Sequence, residues 1–310
     1  MALIRKQATN RVLMVRPALF GYNAETATNN SFQKETGVPE AVAREAKKEF
    51  DGYVNLLRDH GVDVWVIQDS KTPHTPDSIF PNNWFSTHIT GELVLYPMYA
   101  PNRQQERKLP ILATVGEMEG VERIINLSGY ERDNCFLEGT GSMVLDRVNR
   151  IAYYCVSERT HMKVLEEFCS ELDYRGLMFS ATDAAGAPIY HTNVMMCVAT
   201  DYAVICLECI RDEEERRAVE ESLTTTGHRI VAITNEQVEH FAGNMLELRS
   251  EAGESLLIMS AEARRSLTEE QVALIEQYST IVAPELSVIE KNGGGSARCM
   301  LAEIFLPQAE

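Results

Sequence analysis

Strand-like and helix-like patterns alternate along the whole of this 310-residue sequence, and they do so in a repeating order. Apolar, β-rich runs fall at 12–17 (VLMVRP), 62–67, 92–97, 142–146, 151–156, 193–198, 202–207, 229–233, 255–260 and 280–284. Between them, at 39–60, 103–115, 159–172, 211–226 and 262–278, apolar residues recur at helical spacing beside a charged face. In SMVLDRVNRIAYYCV, two strands joined by a turn near Arg147–Arg150 lead into a helix at SERTHMKVLEEF. NVMMCVATDYAVICLECIRDEEERRAVEESL repeats that order, and ELVLYP, preceded by NNWFSTHITG, fits it as well. The unit is β-β-α with a further strand after the helix, recurring about five times, which is an α/β arrangement. No Pro/Gly/Ser-rich linker and no low-complexity tract divides the chain. One domain over 1–310 is therefore expected, since closed α/β folds often run to about 250 residues or more.

Composition narrows the function. Apolar residues make up 45%, enough for a real core. The formal charge of −17 argues against nucleic acid, because a phosphate-binding face needs concentrated Lys and Arg. No run approaches the ~18 apolar residues of a membrane span, and MALIRKQATNRVLMVRP lacks a signal-peptide layout. Seven irregularly spaced cysteines read as reduced thiols, which fits a cytoplasmic protein. Cys206 and Cys209 form a C-x-x-C in a strand-like run with no second pair at zinc spacing, so they read as small core residues. Neither a G-x-G-x-x-G after the first strand nor a P-loop motif is present, so no nucleotide cofactor is expected. The expected partner is a small molecule, neither nucleic acid nor membrane, with homo-oligomerisation left open.

Four stretches carry polar residues where chemistry is plausible. In KNGGGSARCMLAEIF, Cys299 ends a glycine loop and enters an apolar, helix-like segment. At a helix N-terminus a thiol would be activated toward thiolate; the alternative is a small residue buried at a turn. A cysteine nucleophile needs an acid or base within reach. Of the seven histidines, His191 stands out, because His191-Thr192-Asn193 directly precedes a strongly apolar run; it is either a site residue or a strand-end histidine with a satisfied hydrogen bond. In TPDSIFPNNWFSTH, Asp77, Asn82 and Asn83 interleave with apolar side chains. In ERDNCFLEGTGSMVL, Glu138 sits between an apolar pair and a Gly-Thr-Gly turn. These groups either cap loops or line a pocket. Asn23, in the loop after the first strand, is placed by position alone within reach of such a pocket.

PDSIFPNN, CFLEGTGSMVLD, VSERTH, IYHTNVMMCV and GGGSARCM, in that order from about residue 11 to 307, resemble the motifs of the guanidino-group-modifying enzymes. These are arginine deiminase, dimethylarginine dimethylaminohydrolase and the amidinotransferases. The resemblance implies a five-bladed αβ-propeller, the pentein fold, built of ββαβ modules around one central pocket. It implies Cys299 as nucleophile, His191 as general acid/base, and Glu138 as the carboxylate that holds the amidine-like group. It implies that Arg159 grips a substrate carboxylate, as a planar guanidinium can, and that no metal or organic cofactor takes part.

The sequence departs from the arginine deiminase pattern at the acidic positions. Asn83, preceded by Asn82, stands where that pattern has Asp, His191-Thr192-Asn193 replaces His-Leu-Asp, and Gly141 takes the place of a third acid. Glu138 and Asp77 are the carboxylates left at the expected pocket positions. Carboxylates only accept hydrogen bonds, whereas amides also donate, so the departures suit a neutral ureido group. The expected activity is hydrolysis of C–N bonds in a ureido or guanidino amino acid of the citrulline or arginine type. This is closest to arginine dihydrolases and citrulline-utilisation hydrolases; an arginine deiminase, a dimethylarginine dimethylaminohydrolase-like hydrolase and an amidinotransferase are the alternatives.

Overall fold

The computed structural model describes residues 5–308. Its strands form five separate three-stranded sheets. In the first, β1 (Arg11–Arg16) leads through α1 (Pro39–Asp59) to β2 (Asp63–Gln68). The second contains β3 (Phe85–Thr87), β4 (Glu92–Leu95), α2 (Pro101–Gln104), α3 (Leu109–Gly116) and β5 (Arg123–Asn126). The third opens with α4 (Gly139–Ser142) and continues through β6 (Met143–Asp146), β7 (Ile151–Cys155), α5 (Met162–Leu172) and β8 (Arg175–Phe179). The fourth has β9 (Met196–Val198), β10 (Tyr202–Ile205), α6 (Glu213–Thr225) and β11 (Arg229–Ala232), followed by α7 (Asn235–Glu239). The fifth has β12 (Leu246–Arg249), β13 (Ser255–Ile258), α8 (Ala261–Ser266), α9 (Glu269–Ile275) and β14 (Thr280–Val282). After α10 (Ser287–Gly293), β15 (Ala302–Glu303) pairs antiparallel with β1 and completes the first sheet.

Each sheet has one pattern, an antiparallel pair followed by a parallel third strand across a helical connection. Parallel pairing requires such a crossover. Exposure collects on the third strands: β3, β9 and β15 are wholly buried, while β5 exposes three of its four residues and β11 two of four. The first strands are therefore the inner ones, and β15 closes the ring onto the N-terminal segment. The helices lie outside. α1 shows how sequence sets this: Pro39 starts the helix, where its missing N–H costs nothing, and Val42, Ala46, Phe50, Tyr53, Val54 and Leu57 form one buried stripe.

Several expectations are corrected. The helix expected at 103–115 is two pieces, because Pro110 can only open α3, not continue α2. The helix at 262–278 breaks at Leu267, and Thr268 with Gln271 caps a new start. MLAEIF is not a helix: Cys299 lies in a 3-10 turn at Ala297–Met300 that feeds strand β15. Cys206 and Cys209 bracket a tight turn instead of a strand, and both are buried free thiols. Strands β5, β8 and β12 were not legible, being short and, in β5 and β8, mostly polar or exposed. Among the described residues no helix is long and apolar enough to cross a membrane.

The inner strands are also tied by side chains. The buried Thr87 hydroxyl donates to the Glu303 carbonyl at 2.9 Å and accepts the Phe305 N–H at 2.8 Å, linking β3 to β15. Thr87→Val leaves two buried backbone groups without that partner, and urea denaturation should show a loss of about 1–3 kcal/mol. The exposed Thr90→Val should change stability by less than about 0.5 kcal/mol.

Candidate active site

The chain enters every inner strand through a tight turn, and these turns meet at one end of the ring. Pro81–Asn83 precedes β3, Gly139–Ser142 precedes β6, Thr192–Val194 precedes β9, and Ala297–Met300 precedes β15. Asn82, Asn83, Glu138, His191, Asn193 and Cys299 all lie in or beside them. A cavity of about 20 Å³ is lined by Cys299, His191, Asn83, Asp77 and Arg159 together with Phe80, Arg103, Tyr190, Thr26, Asn30 and Gly293–Gly295. The sulfur and the imidazole, over a hundred positions apart in sequence, thus share one cavity.

Glu138 is fully buried and fully engaged. Its Oε2 accepts from His191 Nε2 at 2.8 Å and from Arg159 Nη1 at 3.4 Å, with Arg103 Nη1 at 3.9 Å; Oε1 accepts the Tyr99 N–H at 2.9 Å. Burial pushes this carboxyl up, but Arg159, the His191 hydrogen bond and Arg103 more than offset it and hold it well below the usual carboxylate range. An ionised carboxylate only accepts, so Nε2 carries the hydrogen and the second ring nitrogen is left to take up a proton. Burial lowers the His191 pKa to about 4; Arg159 and Arg103 act in the same direction and Glu138 opposes them. The imidazole is neutral at physiological pH.

Arg159 sits in the turn before α5. Its Nε donates to Asn29 Oδ1 at 2.9 Å and its Nη2 to the Thr26 carbonyl at 2.9 Å, and it lies 4.8 Å from the Tyr190 ring centroid. Asp77 Oδ2 accepts from Asn23 Nδ2 at 2.8 Å and Thr26 Oγ1 at 3.0 Å, while its Oδ1 has no partner among the described residues. Burial raises the Asp77 pKa in spite of Arg103, Asn23 and Thr26. Asn23 therefore stands one layer behind the cavity, bracing Asp77. Asn82 is turned toward Thr140 at 3.3 Å and Asn193 toward Cys299 Sγ at 3.7 Å; neither lies on the cavity wall, and both carry an unpartnered, buried Oδ1.

Three features escaped sequence reading. Arg103, taken as part of a charged helix face, is buried; its Nε donates to Glu106 Oε1 at 2.8 Å and its Nη1 to Asn83 Oδ1 at 2.8 Å. The Arg103/Glu106 spacing of three reads as an ordinary surface pair. Asn244 donates to Cys299 Sγ at 3.2 Å, and the loop holding Thr26, Asn29 and Asn30 roofs the cavity. That long, irregular connection between β1 and α1 was its own signal, since such loops are uncommon without a function.

The glycines are explained by close approach. At Gly294, φ is +62°, and a Cβ would meet Asn30 at 2.6 Å. At Gly141 a Cβ would lie 2.4 Å from Asn83 Nδ2 and 2.8 Å from the His191 ring. Gly141→Ala must displace one of them, so turnover is expected to fall about 10²-fold, read as kcat beside a melting curve to separate misplacement from unfolding.

A protein-family model described as N,N dimethylarginine dimethylhydrolase, eukaryotic, matches residues 16–306. No curated protein matches the sequence. Among solved structures, the N-terminal domain of ArgZ, an arginine dihydrolase from the ornithine-ammonia cycle in cyanobacteria, was determined as a mutant bound to substrate. It is 17% identical, with a TM-score of 0.74, over 94% of this chain and 97% of that chain. Apo ArgZ is likewise 17% identical, with a TM-score of 0.75, and the match covers 96% of this chain but 41% of that one. A dimethylarginine dimethylaminohydrolase carrying a 4-chloro-2-hydroxymethylpyridine adduct is 15% identical, with a TM-score of 0.65, over 95% of this chain and 99% of that one. At these identities the likeness is one of fold, and with the five three-stranded sheets it makes this the five-bladed pentein architecture. By the match over residues 16–306 the chain belongs to the dimethylarginine dimethylhydrolase family, hydrolases of C–N bonds within the guanidino-group-modifying enzymes.

Proposed function

We propose that this enzyme is a cysteine-dependent hydrolase that cleaves C–N bonds of a ureido amino acid of the citrulline type, through a covalent intermediate on Cys299. The observation that carries the ureido preference is the orientation of Asn83. A guanidinium has no acceptor, so the Arg103 N–H at 2.8 Å fixes Asn83 Oδ1 toward Arg103 and turns the amide nitrogen to the side of Gly141 and His191. One of its hydrogens is directed to the Glu138 carbonyl at 3.5 Å, and the other matches the oxygen of a ureido group. It mismatches the guanidinium of arginine, which carries only donors, and an unpaired buried donor costs about 1–3 kcal/mol. Arginine, either to citrulline or through two rounds to ornithine, is the second reading, favoured by the ionised Glu138 and by Asp77.

Cys299 attacks the trigonal carbon as thiolate, forming a C–S bond, and a C–N bond breaks. His191, neutral beforehand, takes the thiol proton and hands it to the departing nitrogen, which leaves as ammonia or an amine. The intermediate is a thiocarbamate from a ureido carbon or a thiouronium from a guanidino carbon. Water then gives its proton to His191, adds to the carbon and expels the thiolate; from a ureido substrate the carbon leaves as carbamic acid, which loses CO2, so that citrulline yields ornithine, ammonia and CO2. Glu138 fixes the imidazole, and Arg159 supplies cationic charge for the substrate carboxylate. Small-molecule sites usually enclose about 300–1,000 Å³, so the Thr26–Asn30 roof must open to admit substrate, freeing Arg159 from Asn29. No metal or organic cofactor enters the scheme. In an amidinotransferase an amine would replace the water. Residues 1–310 act as one catalytic unit in this reading, which the β15–β1 pairing supports, and seven free thiols suit the cytoplasm.

Ornithine release from citrulline is the direct assay; Cys299→Ala should abolish it. Citrulline accumulating from arginine without ornithine would identify a deiminase, and dimethylamine from dimethylarginine would identify the activity in the family's description. Rapid single-site labelling of Cys299 by a haloacetamidine separates an enzyme from a binding protein with a spent pocket. Asn83→Asp replaces the donor by a carboxylate and should move the kcat/KM ratio at least ~10-fold from citrulline toward arginine. The pH profile has a definite sign. His191 works as the neutral base and burial lowers its pKa to about 4. Activity should therefore persist as pH falls through the ordinary histidine range and be lost only near 4, read as the acid limb of kcat/KM.

A further inference from the structure

We propose that Asn244 is a positioning residue for the nucleophile: its locked carboxamide aims an N–H at the Cys299 sulfur and favours the anionic form. The inference rests on the reading of Cys299 as nucleophile. Asn244 stands two residues before β12 in the fifth module, as Asn83 and Gly141 stand two residues before β3 and β6. It is 1% exposed.

Three contacts fix its amide. The Arg298 backbone N–H donates to Asn244 Oδ1 at 3.1 Å, which turns Nδ2 to the other side. Of the two Nδ2 hydrogens, one meets the Asn193 carbonyl at 3.0 Å and the other Cys299 Sγ at 3.2 Å. In the thiol form Sγ also donates to Oδ1 at 3.6 Å, a long contact that the thiolate gives up. The flipped amide would nevertheless face the Arg298 N–H with a donor and the Asn193 carbonyl with an oxygen, and would leave both unpaired. Asn193 Nδ2 adds a longer contact to Sγ at 3.7 Å.

The neighbouring charges do not perform this task. The Arg298 guanidinium is turned to the Leu301 carbonyl at 2.9 Å and to Glu303 at 2.8 Å. Tyr53, from α1, donates to the Ala297 carbonyl, and Tyr190 donates to the Gly294 carbonyl. Glu138 is taken by His191 and Arg159, and Arg103 by Glu106 and Asn83. His191 and Asp77 face the cavity without a hydrogen bond to Sγ, so among the described residues the donors to the sulfur are the two asparagine amides. An N–H to sulfur strengthens as charge develops there, and the thiolate is the attacking form.

The test is the rate of Cys299 alkylation by chloroacetamidine against pH, resolved by peptide mass spectrometry, in wild type, Asn244→Ala and Asn244→Asp. Near neutrality the Ala variant should label about 10–100-fold more slowly, converging with wild type at alkaline pH. Asn244→Asp keeps the volume and the Arg298 contact but sets an anionic oxygen against Sγ, and should be slower still. Unmoved pH profiles in variants that merely melt earlier would overturn the proposal; Asn244→Ser replaces any variant that fails to fold. A wild-type Cys299 that labels no faster than the other six cysteines would instead remove the nucleophile reading, whatever Asn244 does.

Discussion

One buried carboxylate oxygen organises the site. Glu138 Oε2 lies within 4 Å of three groups that carry or can carry positive charge, at 2.8 Å from His191, 3.4 Å from Arg159 and 3.9 Å from Arg103. Two arginines brought into the same buried cavity would repel each other and disfavour a protonated imidazole. Ionised Glu138 is the counter-charge that lets both remain there, and removing one partner of such a buried set commonly costs about 3–5 kcal/mol. The same oxygen selects the His191 tautomer and faces the ring. Charge compensation and the orientation of the imidazole are therefore met by one atom.

The ring architecture makes this convergence cheap. Each module contributes one short entry turn, and closing five modules brings the five turns to one mouth without any long-range threading. Asn83, Glu138, His191, Asn244 and Cys299 come from different modules and still meet, because every inner strand starts at the same end. The pairing of β15 with β1 places the Cys299 turn beside the first module. Phe80 fills the space under the glycine loop, where a Cβ on Gly293 or Gly295 would approach its ring to 2.8 or 2.9 Å. That packing is why a thiol stands at the end of a stretch nearly free of side chains.

Much of this could be read in advance, for a physical reason. The middle strands are apolar on both faces, so VLMVRP, IAYYCV and YAVICL are loud signals, and the polar residues that enter the inner strands beside them stand out. Cys299, His191, Glu138, Asn83, Asp77 and Arg159 share those neighbourhoods. Outer strands such as RIIN and RGLMF expose most of their residues and carry little pattern. Arg103 was hidden because helical periodicity gives a charged face but not which charge turns inward. Asn244, in FAGNMLE, resembles an ordinary Gly-Asn turn, and only coordinates show its amide against a sulfur. The helix expected after Cys299 failed because MLAEIF is short and apolar, a length at which strand and helix look alike.

The proposed substrate preference reduces to donors and acceptors. Arg103 fixes Asn83, Asn83 then offers an N–H, and a ureido oxygen is its natural partner. The most direct check is acid-quenched turnover with citrulline carrying an isotopic label at the ureido carbon, followed by mass spectrometry of the peptide that contains Cys299. The expected result is the labelled carbon bound to Cys299 during turnover and absent once substrate is exhausted. Ornithine formed with no label on that cysteine at any time, or label on another residue, would contradict it.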